Sequence, residues 1–371
     1  MNRTSFRRAL VPGIAVLALF LTSCGDDDGD DGSSNGDNGS SSASLSGTLS
    51  GGGASSQDAA QQAWRASFQG SNPEVTINYD PVGSGTGREN FISKAFSFAG
   101  SDAYLTDDEK ELTNAKKRCG GEDPVEVPAY VSPIAVAFNL PGVDTLNLDA
   151  KTIAMIFDGK ITAWNDPAIA ALNDGVDLPD TTITPVHRSD DSGTTDNFTD
   201  YLSQAGEGAW SYDPDGVWPI KGGEAGEGTS GLIAAVKGGE GTIGYADASQ
   251  AGGLGIVSIK VGEEFTAPSA EGAAKALAVS SPAEVATDTM MAYDIDRTTT
   301  ESGAYPLLLA SYLIACQTYD DADEADLVNG FLSYIVSDEG QQDAAQNAGS
   351  APLDASIATK AQELVGAISA G

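Results

Sequence analysis

The block Val186–Leu202, "VHRSDDSGTTDNFTDYL", concentrates residue types that can do acid–base chemistry or bind an anion. His187 is the only histidine of the chain, Arg188 follows it directly, and Ser192 lies shortly after. A histidine that activates a serine would indicate a hydrolase, which is defined by geometry rather than by spacing. An arginine beside a Gly-hydroxyl turn that opens a helix suits an oxyanion instead. No serine of the block lies in a Gly-x-Ser-x-Gly elbow, so the block favours an anion socket and leaves catalysis as the alternative.

Three earlier segments place small or hydroxyl residues at a predicted strand end or just before a predicted helix: "SGGGASS" (Ser50–Ser56), "VGSGTGREN" (Val82–Asn90) and "AGSDAYL" (Ala99–Leu105). In open α/β sheets the ligand lies outside the carboxyl ends of the strands. Helix N-termini at that edge offer free backbone N–H groups and the positive end of the helix dipole. Together with the arginine block, these turns indicate a site for an oxyanion.

Other sites with similar composition do not fit. The run "GSGTGR" lacks the Lys-Ser/Thr ending of a phosphate loop, and it lacks the third glycine of a dinucleotide fingerprint. Cys119, Cys316 and His187 have no zinc-ligand spacing. The sequence therefore predicts no metal and no nucleotide cofactor.

Short apolar strands alternate with amphipathic helices along the chain, and they must position these turns. Predicted strands include "VTINYDPV", "VPAYVSPIAVAFNL", "TITPVHR" and "GTIGYAD", and predicted helices include "GTGRENFISKAF", "DAKTIAMIFDGKITAW" and "TTDNFTDYL". The late runs "LLLASYLIAC" and "EADLVNGFLSYIVSDEGQQDAAQNAG" also have helical periodicity. This alternation predicts an α/β fold with mainly parallel sheets.

The N-terminus has the pattern of an export signal. A basic start precedes the apolar run Ala9–Leu21, which is interrupted by Pro12 and Gly13 and is shorter than the ~20 residues of a membrane span. The following "LTSC" resembles the lipobox of bacterial lipoproteins, which implies cleavage before Cys24 and acylation of that cysteine. Residues 25–44 are acidic, Gly/Ser-rich and without apolar content, so a flexible tether is predicted.

Charge and length restrict the possible functions. The 54 acidic and 19 basic residues give a formal net charge of −35, which argues against binding nucleic acid or an anionic membrane surface. Chains beyond ~250–300 residues usually divide into domains, so the part from Leu45 to Gly371 is expected to form two.

The cysteines that remain after Cys24 are Cys119 and Cys316. An exported protein can keep a disulfide, and an even pair fits one bridge. Two buried free thiols are the alternative.

Across nearly the whole chain after the tether, the sequence resembles the phosphate-binding protein of the ABC-type phosphate importer. The matching segments, in the order of that family, are "LSGGGASS", "INYDPVGSGTGRENFI", "FAGSDAYL", "PIAVAFNLPGV", "IFDGKITAWNDPAI", "TPVHRSDDSGTTDNFTDYL", "GTIGYAD" and "YPLLLASYL". The most specific are "VHRSDDSGTT" and "FDGKITAWND".

The resemblance implies a two-lobed periplasmic-binding-protein-like fold of type II, with mixed or parallel sheets flanked by helices and two hinge crossovers. Residues 1–23 would be a lipoprotein signal peptide and 24–44 the tether. Lobe one would comprise 45–135 and 300–371, and lobe two 136–299. The crossovers are expected near Val131–Asn139 and Met290–Leu308.

The resemblance also implies the ligands of a phosphate ion. They are Ser55, Ser56, Ser84, Asp102, Arg188, Ser192, Gly193 and Thr194, with Asp190 pairing the arginine. This chain departs from the family at Ser56, where an aromatic residue is usual; the aromatic's packing role is then missing.

The implied function is capture of inorganic phosphate outside the cytoplasm by a lipid-anchored protein that delivers it to the permease subunits of an ABC importer, with no cofactor and no catalysis. The alternatives are a receptor for another tetrahedral oxyanion, a secreted phosphatase or esterase that uses Ser192 or Ser84, and a sensor or adhesin that binds phosphate without delivering it.

Overall fold

The computed structural model describes residues 45–108 and 110–371. The predicted signal peptide, the lipidation site Cys24 and the tether lie outside the described residues. Within the described residues, no helix has the length and the apolar character needed to cross a membrane.

The strands and helices alternate as expected. The strands are β1 (Gly47–Gly53), β2 (Val75–Asp80), β3 (Phe98–Ser101), β4 (Val125–Asn139), β5 (Thr145–Leu148), β6 (Thr184–Arg188), β7 (Glu224–Gly226), β8 (Thr242–Asp247), β9 (Gly255–Val261), β10 (Glu264–Thr266), β11 (Ser281–Pro282), β12 (Tyr293–Asp294), β13 (Leu308–Ala315), β14 (Thr318–Tyr319) and β15 (Ser369–Ala370). The helices are α1 (Asp58–Ser71), α2 (Ser84–Ile92), α3 (Glu111–Arg118), α4 (Ala150–Phe157), α5 (Pro167–Ala170), α6 (Gly193–Ala205), α7 (Gly228–Gly238), α8 (Ala270–Ala278), α9 (Ala322–Ile335), α10 (Asp338–Ala348) and α11 (Ala355–Gly366). Short 3₁₀ turns precede α1 and follow β8.

One mixed sheet of 11 strands runs through the fold in the order β2-β1-β3-β13-β4-β8-β6-β7, with β9 pairing β4 and carrying β5 and β10. The pairs β1–β2, β1–β3, β6–β7 and β6–β8 are parallel, whereas β13 and β4 run antiparallel to each other and to their outer neighbours. The predicted α/β class with mixed or parallel sheets is confirmed.

Buried apolar side chains divide into two large clusters and a smaller one. The first joins the N-terminal segment to the C-terminal helices, for example Trp64 with Phe331. The second lies mainly in the central segment, around Phe138 and Trp164, and also includes Tyr305, Leu307 and Leu309. Strand β4 passes from the first cluster, at Tyr130, to the second. Two large cores joined by continuous strands are what a two-lobed chain requires, although the lobe boundaries themselves stay a prediction.

The third, smaller cluster gathers around Val131, Leu308 and Tyr312, and helix α8 packs into it through Ala273 and Ala276. Helix α8 belongs to the predicted lobe two, residues 136–299. Its buried face lies against residues of β4 and β13 that lie near the predicted crossovers.

The helix predicted for "LLLASYLIAC" (Leu307–Cys316) is wrong, because the segment forms strand β13. Every residue of β13 is buried, and the strand lies between β3 and β4. A strand covered on both faces has no alternation, so its periodicity cannot be distinguished from that of a buried helix.

The two remaining cysteines form a disulfide, which confirms the predicted bridge. The Cα atoms of Cys119 and Cys316 are 5.2 Å apart across a sequence separation of 197 residues. Cys119 ends helix α3 and Cys316 follows β13, and both belong to the first cluster. The bridge therefore ties the beginning of the chain to its last third.

Candidate functional site

The turns that sequence analysis selected follow the carboxyl ends of three neighbouring strands. Parallel pairing sets Gly52 opposite Asp80 and Gly53 opposite Gly100, so β1, β2 and β3 end at one edge of the sheet. The chain beyond those ends supplies Ser55, Ser56, Ser84 and Asp102, which we call the N-terminal wall. All four side chains are buried.

A second group lies at the ends of the central strands. Strand β6 ends at Arg188, and helix α6 begins at Gly193 with Ser192 as its cap, whose hydroxyl accepts a hydrogen bond from the Thr195 N–H at 3.2 Å. We call Arg188, Ser192, Gly193 and Thr194 the central wall. Its polar side chains are also buried, and Gly193, the first residue of α6, lies against Asp102 and Ser84 of the N-terminal wall.

The Asp102 carboxylate joins the two walls. The Ser56 hydroxyl donates to both carboxylate oxygens, and its own oxygen lies 2.7 Å from Oδ1 and 2.8 Å from Oδ2. The Thr194 hydroxyl donates to Oδ2, with the two oxygens 2.9 Å apart. The Asp102 backbone N–H donates to the Ser84 hydroxyl at 3.1 Å. Asn197 of α6 donates to the Asp102 carbonyl oxygen at 2.7 Å.

Gly193 is glycine because the walls approach each other closely at that point. A Cβ atom on this residue would lie 2.7 Å from the Cβ of Asp102 and 2.7 Å from the hydroxyl oxygen of Ser84. Backbone and side chains from the N-terminal wall fill that space. Any larger residue would push the walls apart.

The Arg188 guanidinium is held by Asp190, the residue predicted to pair with it. The Nε group donates to Oδ1 at 2.8 Å and Nη2 donates to Oδ2. The Gly228 N–H at the start of α7 donates to Oδ1 at 2.9 Å. Burial would raise the pKa of Asp190, but these bonds and the charge of Arg188 outweigh it, so the pKa is lowered. A guanidinium has five N–H donors and Asp190 accepts two of them, so three remain, including both Nη1 hydrogens.

Burial raises the pKa of Asp102 above its ordinary value, because desolvation disfavours the carboxylate. Hydroxyl donors from Ser311, Ser56 and Thr194, followed by the charge of Arg188, act in the opposite direction. The charged group among these influences is the arginine of the central wall. The two walls are therefore coupled electrically as well as by hydrogen bonds.

Ser55 lies at the rim and reaches a residue that the sequence analysis missed. Its hydroxyl is 3.0 Å from the Thr229 hydroxyl and accepts the Thr229 N–H at 3.0 Å. Gln250 donates to the Ser55 carbonyl oxygen at 3.1 Å. Thr229 is the first hydroxyl residue of the Gly-Thr-Ser sequence that opens α7, so the signal that identifies the other turns could also have identified it.

Ser311 and Gln57, like Asn197, are further residues around Asp102 that the sequence does not predict. Ser311 donates to Asp102 Oδ1 at 2.6 Å, and Gln57 donates to the Ser311 hydroxyl at 2.7 Å. Ser311 was hidden inside the apolar run that was read as a helix. A single hydroxyl in a buried strand is the signal that could have identified it.

His187 and Ser192 do not form a hydrolase pair in this arrangement. The His187 ring stacks on Trp218 with centroids 5.2 Å apart, and its nitrogens lie 2.8 Å from the Arg188 carbonyl oxygen and 3.1 Å from that of Gly222. The Ser192 hydroxyl instead caps α6. Within residues 45–108 and 110–371, no group of three or more His, Cys, Asp or Glu side chains is arranged to hold a metal ion.

The predicted ligands are thus placed as follows. Direct contacts join Ser56, Ser84, Asp102, Gly193 and Thr194. Arg188 is hydrogen-bonded to Asp190, and Ser192 caps helix α6. Ser55 contacts Thr229. Their role in binding a ligand stays a prediction. Chemically, the arrangement offers one guanidinium, several hydroxyls and a helix N-terminus to an anion, and one carboxylate to a hydrogen donor.

Comparison with known proteins identifies relatives of this chain. Residues 38–339 match the profile of the PBP superfamily domain. The phosphate-binding protein PstS2 of Mycobacterium bovis (strain BCG / Pasteur) is 35% identical over 321 residues, which covers 85% of this chain and 86% of that one. Phosphate-binding protein PstS 3 of Mycobacterium tuberculosis (strain H37Rv) is 35% identical over 335 residues, covering 88% and 90%.

Solved structures share the fold. A high affinity periplasmic phosphate-binding protein (PfluDING), bound with phosphate at pH 8.5, has a TM-score of 0.68 at 21% identity, covering 85% of this chain and 93% of that one. A phosphate-binding protein from Stenotrophomonas maltophilia has a TM-score of 0.66 at 20% identity, with coverages of 85% and 93%. At these identities the similarity concerns the architecture.

Proposed function

The chain belongs to the PBP superfamily, among the phosphate-binding proteins, and from that premise we propose that it captures inorganic phosphate outside the cytoplasm and delivers it to the permease of an ABC importer. The observation that carries this proposal is the buried pairing of an anion-attracting wall with a single acceptor. Arg188 and the α6 N-terminus face Asp102 across the site.

Binding of the anion would use the central wall first. Arg188 can give two hydrogens from Nη1 to two ligand oxygens, in a charged contact that Asp190 keeps oriented. The N-terminus of α6 adds backbone donors and the positive end of its dipole. The hydroxyls of Ser56 and Thr194, which now bond Asp102, can turn to the ligand.

Selection among anions would use Asp102. An ionised carboxylate only accepts hydrogen bonds, so it can pair with the P–OH that phosphate still carries near neutral pH. Sulfate has no such hydrogen and would set oxygen lone pairs against the carboxylate. An unpaired, repulsive contact of this kind rejects the wrong anion.

Ser56 supports this role at the position where the aromatic residue is usual in the family. Its hydroxyl bonds both Asp102 oxygens and its side chain is fully buried. The residue therefore contributes a donor to the acceptor of the site. The packing surface of an aromatic ring is replaced by a polar contact.

The net charge of −35 does not oppose the proposal. Charges on the surface are screened beyond about 8–10 Å at ordinary ionic strength. Binding is decided by the guanidinium, hydroxyls and helix dipole a few ångströms from the ligand. The acidic exterior would slow the approach of an anion more than it weakens the complex.

The anchor is the part of the proposal that rests on sequence alone. We infer that the peptide is cut before Cys24 and that the acylated Cys24 holds the protein at the cell membrane, since several acyl chains are needed for a stable anchor. The acidic tether 25–44 would then let the binding lobes reach the permease. The chain is proposed to act by binding and delivery, without catalysis.

Calorimetry of the purified protein with phosphate and with sulfate tests the proposal. We expect micromolar or tighter phosphate binding and little sulfate binding. Equal affinity for both anions would refute selection by Asp102 and favour a general oxyanion receptor. Turnover of a chromogenic phosphate ester that disappears in Ser192→Ala would instead indicate a phosphatase.

A further inference from the structure

A chain of hydrogen bonds runs from helix α1 to Asp102. Gln61 donates from Nε2 to the side-chain oxygen Oε1 of Gln57 at 3.0 Å, Gln57 donates from Nε2 to the Ser311 hydroxyl at 2.7 Å, and Ser311 donates to Asp102 Oδ1 at 2.6 Å. The side chains of all four residues are buried. Resting on the function proposed above, we propose that Gln57 and Ser311 are positioning residues that keep Asp102 a hydrogen-bond acceptor and thereby set the preference for protonated phosphate over sulfate.

The direction of the chain follows from the backbone. Gln57 Nε2 also donates to the carbonyl oxygen of Tyr312 at 3.2 Å. A carbonyl can only accept, so the amide must present its nitrogen on this side. The Ser311 oxygen consequently accepts from Gln57, and its single hydrogen is left to donate.

Two acceptors compete for that hydrogen. Asp102 Oδ1 lies at 2.6 Å and the Ser101 carbonyl oxygen at 3.3 Å. A hydrogen bond to a carboxylate is shorter and stronger than one to a neutral carbonyl. The hydrogen therefore points to Asp102, and Oδ1 must be the acceptor of that bond.

The orientation of Gln57 is fixed by packing on its other side. A Cβ atom on Gly100 would lie 2.6 Å from the side-chain oxygen Oε1 of Gln57 and 2.4 Å from the Tyr79 hydroxyl. Gly100 thus leaves room for the amide between α1 and β3. Because the Gln57 amide cannot turn, the Ser311 hydroxyl keeps its hydrogen bond to Asp102.

Ser311 differs in this respect from the other hydroxyl donors to Asp102. Ser56 and Thr194 belong to the walls and can turn toward a bound anion. Ser311 is held by Gln57 and lies on the buried strand β13, which belongs to neither wall. A carboxylate has about four lone-pair sites, so Ser311 occupies one of them with or without ligand and the others remain for the P–OH and the wall hydroxyls.

Several titratable groups face Asp102. Arg188 comes from β6, Tyr79 comes from β2, and Asp196 and Asp200 of α6 line the same cleft beside it. Arg297, whose Nη2 donates to Asn197, also lines this cleft. These groups are unchanged by substitution of Gln57 or Ser311, so variants at the two positions isolate the effect of the donor chain.

The test compares Ser311→Ala and Gln57→Leu with the parent in phosphate and sulfate calorimetry between pH 5 and 9. A protonated Asp102 could donate to sulfate, so the phosphate-to-sulfate affinity ratio must fall as Asp102 takes up a proton. Removing a donor raises the pKa of a carboxylate. We therefore expect the fall of the ratio to begin at higher pH in Ser311→Ala and in Gln57→Leu than in the parent.

Controls separate positioning from simple structural damage. Ser350→Ala removes a buried hydroxyl that has no hydrogen-bond partner among the described residues and should leave the ratio as in the parent at every pH. Ser311→Thr keeps the hydroxyl and should retain most of the ratio. Both positions act through one chain of hydrogen bonds. The phosphate-to-sulfate affinity ratio of the double variant Gln57→Leu/Ser311→Ala should therefore match that of Ser311→Ala within about twofold at each pH.

Failure of this inference can be distinguished from failure of the proposed function. If the parent binds phosphate but the ratio falls at the same pH in parent and variants, the inference is overturned and the function stands. If the parent binds neither anion, carboxyl ¹³C NMR without anion still tests the inference, because it follows the titration of Asp102 directly. The Asp102 signal is identified by its loss in Asp102→Asn. That signal must titrate at higher pH in Ser311→Ala than in the parent, and identical titrations would overturn the inference.

If Ser311→Ala or Gln57→Leu does not fold, Gln57→Glu tests the same chain of hydrogen bonds. In Gln57→Glu an acceptor replaces the amide nitrogen, so Ser311 gives its hydrogen to the new carboxylate and faces Asp102 with lone pairs. The ratio must then fall at least as early as in Gln57→Leu. An unchanged ratio in this variant would contradict the donor chain.

Discussion

The N-terminal wall and the central wall would offer opposite chemistry to the proposed phosphate ligand. The central wall presents a guanidinium and a helix N-terminus, both of which attract any oxyanion. The N-terminal wall presents Asp102, whose carboxylate repels an anion unless that anion brings a hydrogen. In the proposed function, attraction and selection would therefore be located on different strands of the sheet.

This separation explains why a carboxylate can stand in an anion site. Arg188 is already paired with Asp190, whose pKa is lowered, so the pair adds little net charge. Asp102 is instead surrounded by hydroxyl donors that compensate for part of its burial. Affinity should depend chiefly on the central wall, and specificity on the N-terminal wall.

The largest effect is expected from Arg188→Ala in the central wall. The substitution removes the ligand's charged partner and leaves Asp190 buried without its cation, so phosphate binding should weaken by about 4 kcal/mol, close to a thousandfold. Calorimetry measures this loss, and Lys237→Ala, which removes an exposed cation, is the control. Normal phosphate binding by Arg188→Ala would show that the central wall is not the attracting half.

The disulfide lies outside both walls and should affect neither. Replacing Cys119 and Cys316 together by serine should lower the free energy of unfolding by about 3 kcal/mol, because a bridge that closes a long loop restricts the unfolded chain. Thermal or denaturant unfolding measures the loss. Phosphate affinity well below the melting temperature should stay as in the parent, and a changed affinity would show that the bridge positions a wall.

Asp102→Asn should change the choice of anion more than the affinity. The amide presents donors as well as an acceptor, so sulfate can be accommodated, and the phosphate-to-sulfate ratio should fall by about 2 kcal/mol, roughly thirtyfold. Competition calorimetry gives the ratio. If sulfate remains excluded, selection lies elsewhere and the comparison between the walls fails.

The smallest effect is expected from Thr229→Val at the rim. This change keeps the shape and removes the hydroxyl that meets Ser55, while the Thr229 N–H still donates to Ser55. Phosphate affinity should fall by about 1 kcal/mol, with the phosphate-to-sulfate ratio unchanged. A change in the ratio would mean that Ser55 takes part in selection.

Much of the fold could be predicted because its signals are local. Alternation and helical spacing identified β2, β4, β6 and β8 and helices α2, α4 and α6, since an amphipathic face is visible in consecutive residues. The apolar run of β13 was misread because a strand buried on both faces carries no period. Only its position between β3 and β4 decides its structure.

The sequence by itself determined the turns of the site. Small residues and hydroxyls before helices, Arg188 at the end of a strand and Ser192 as a helix cap are properties of a few neighbouring residues, and the structure places them at one sheet edge. The pairing of Cys119 with Cys316 remained open against two free thiols, because closure over 197 residues depends on packing.

Only the tertiary structure decided which groups surround Asp102. Ser311 is 209 residues away in sequence and Thr194 is 92 residues away, yet both donate to its carboxylate. No local pattern relates these positions, since the antiparallel insertion of β13 beside β3 and the approach of α6 bring them together. Residue types can indicate that an anion binds, whereas the direction of each hydrogen bond, and with it the choice of anion, follows from contacts across the sheet.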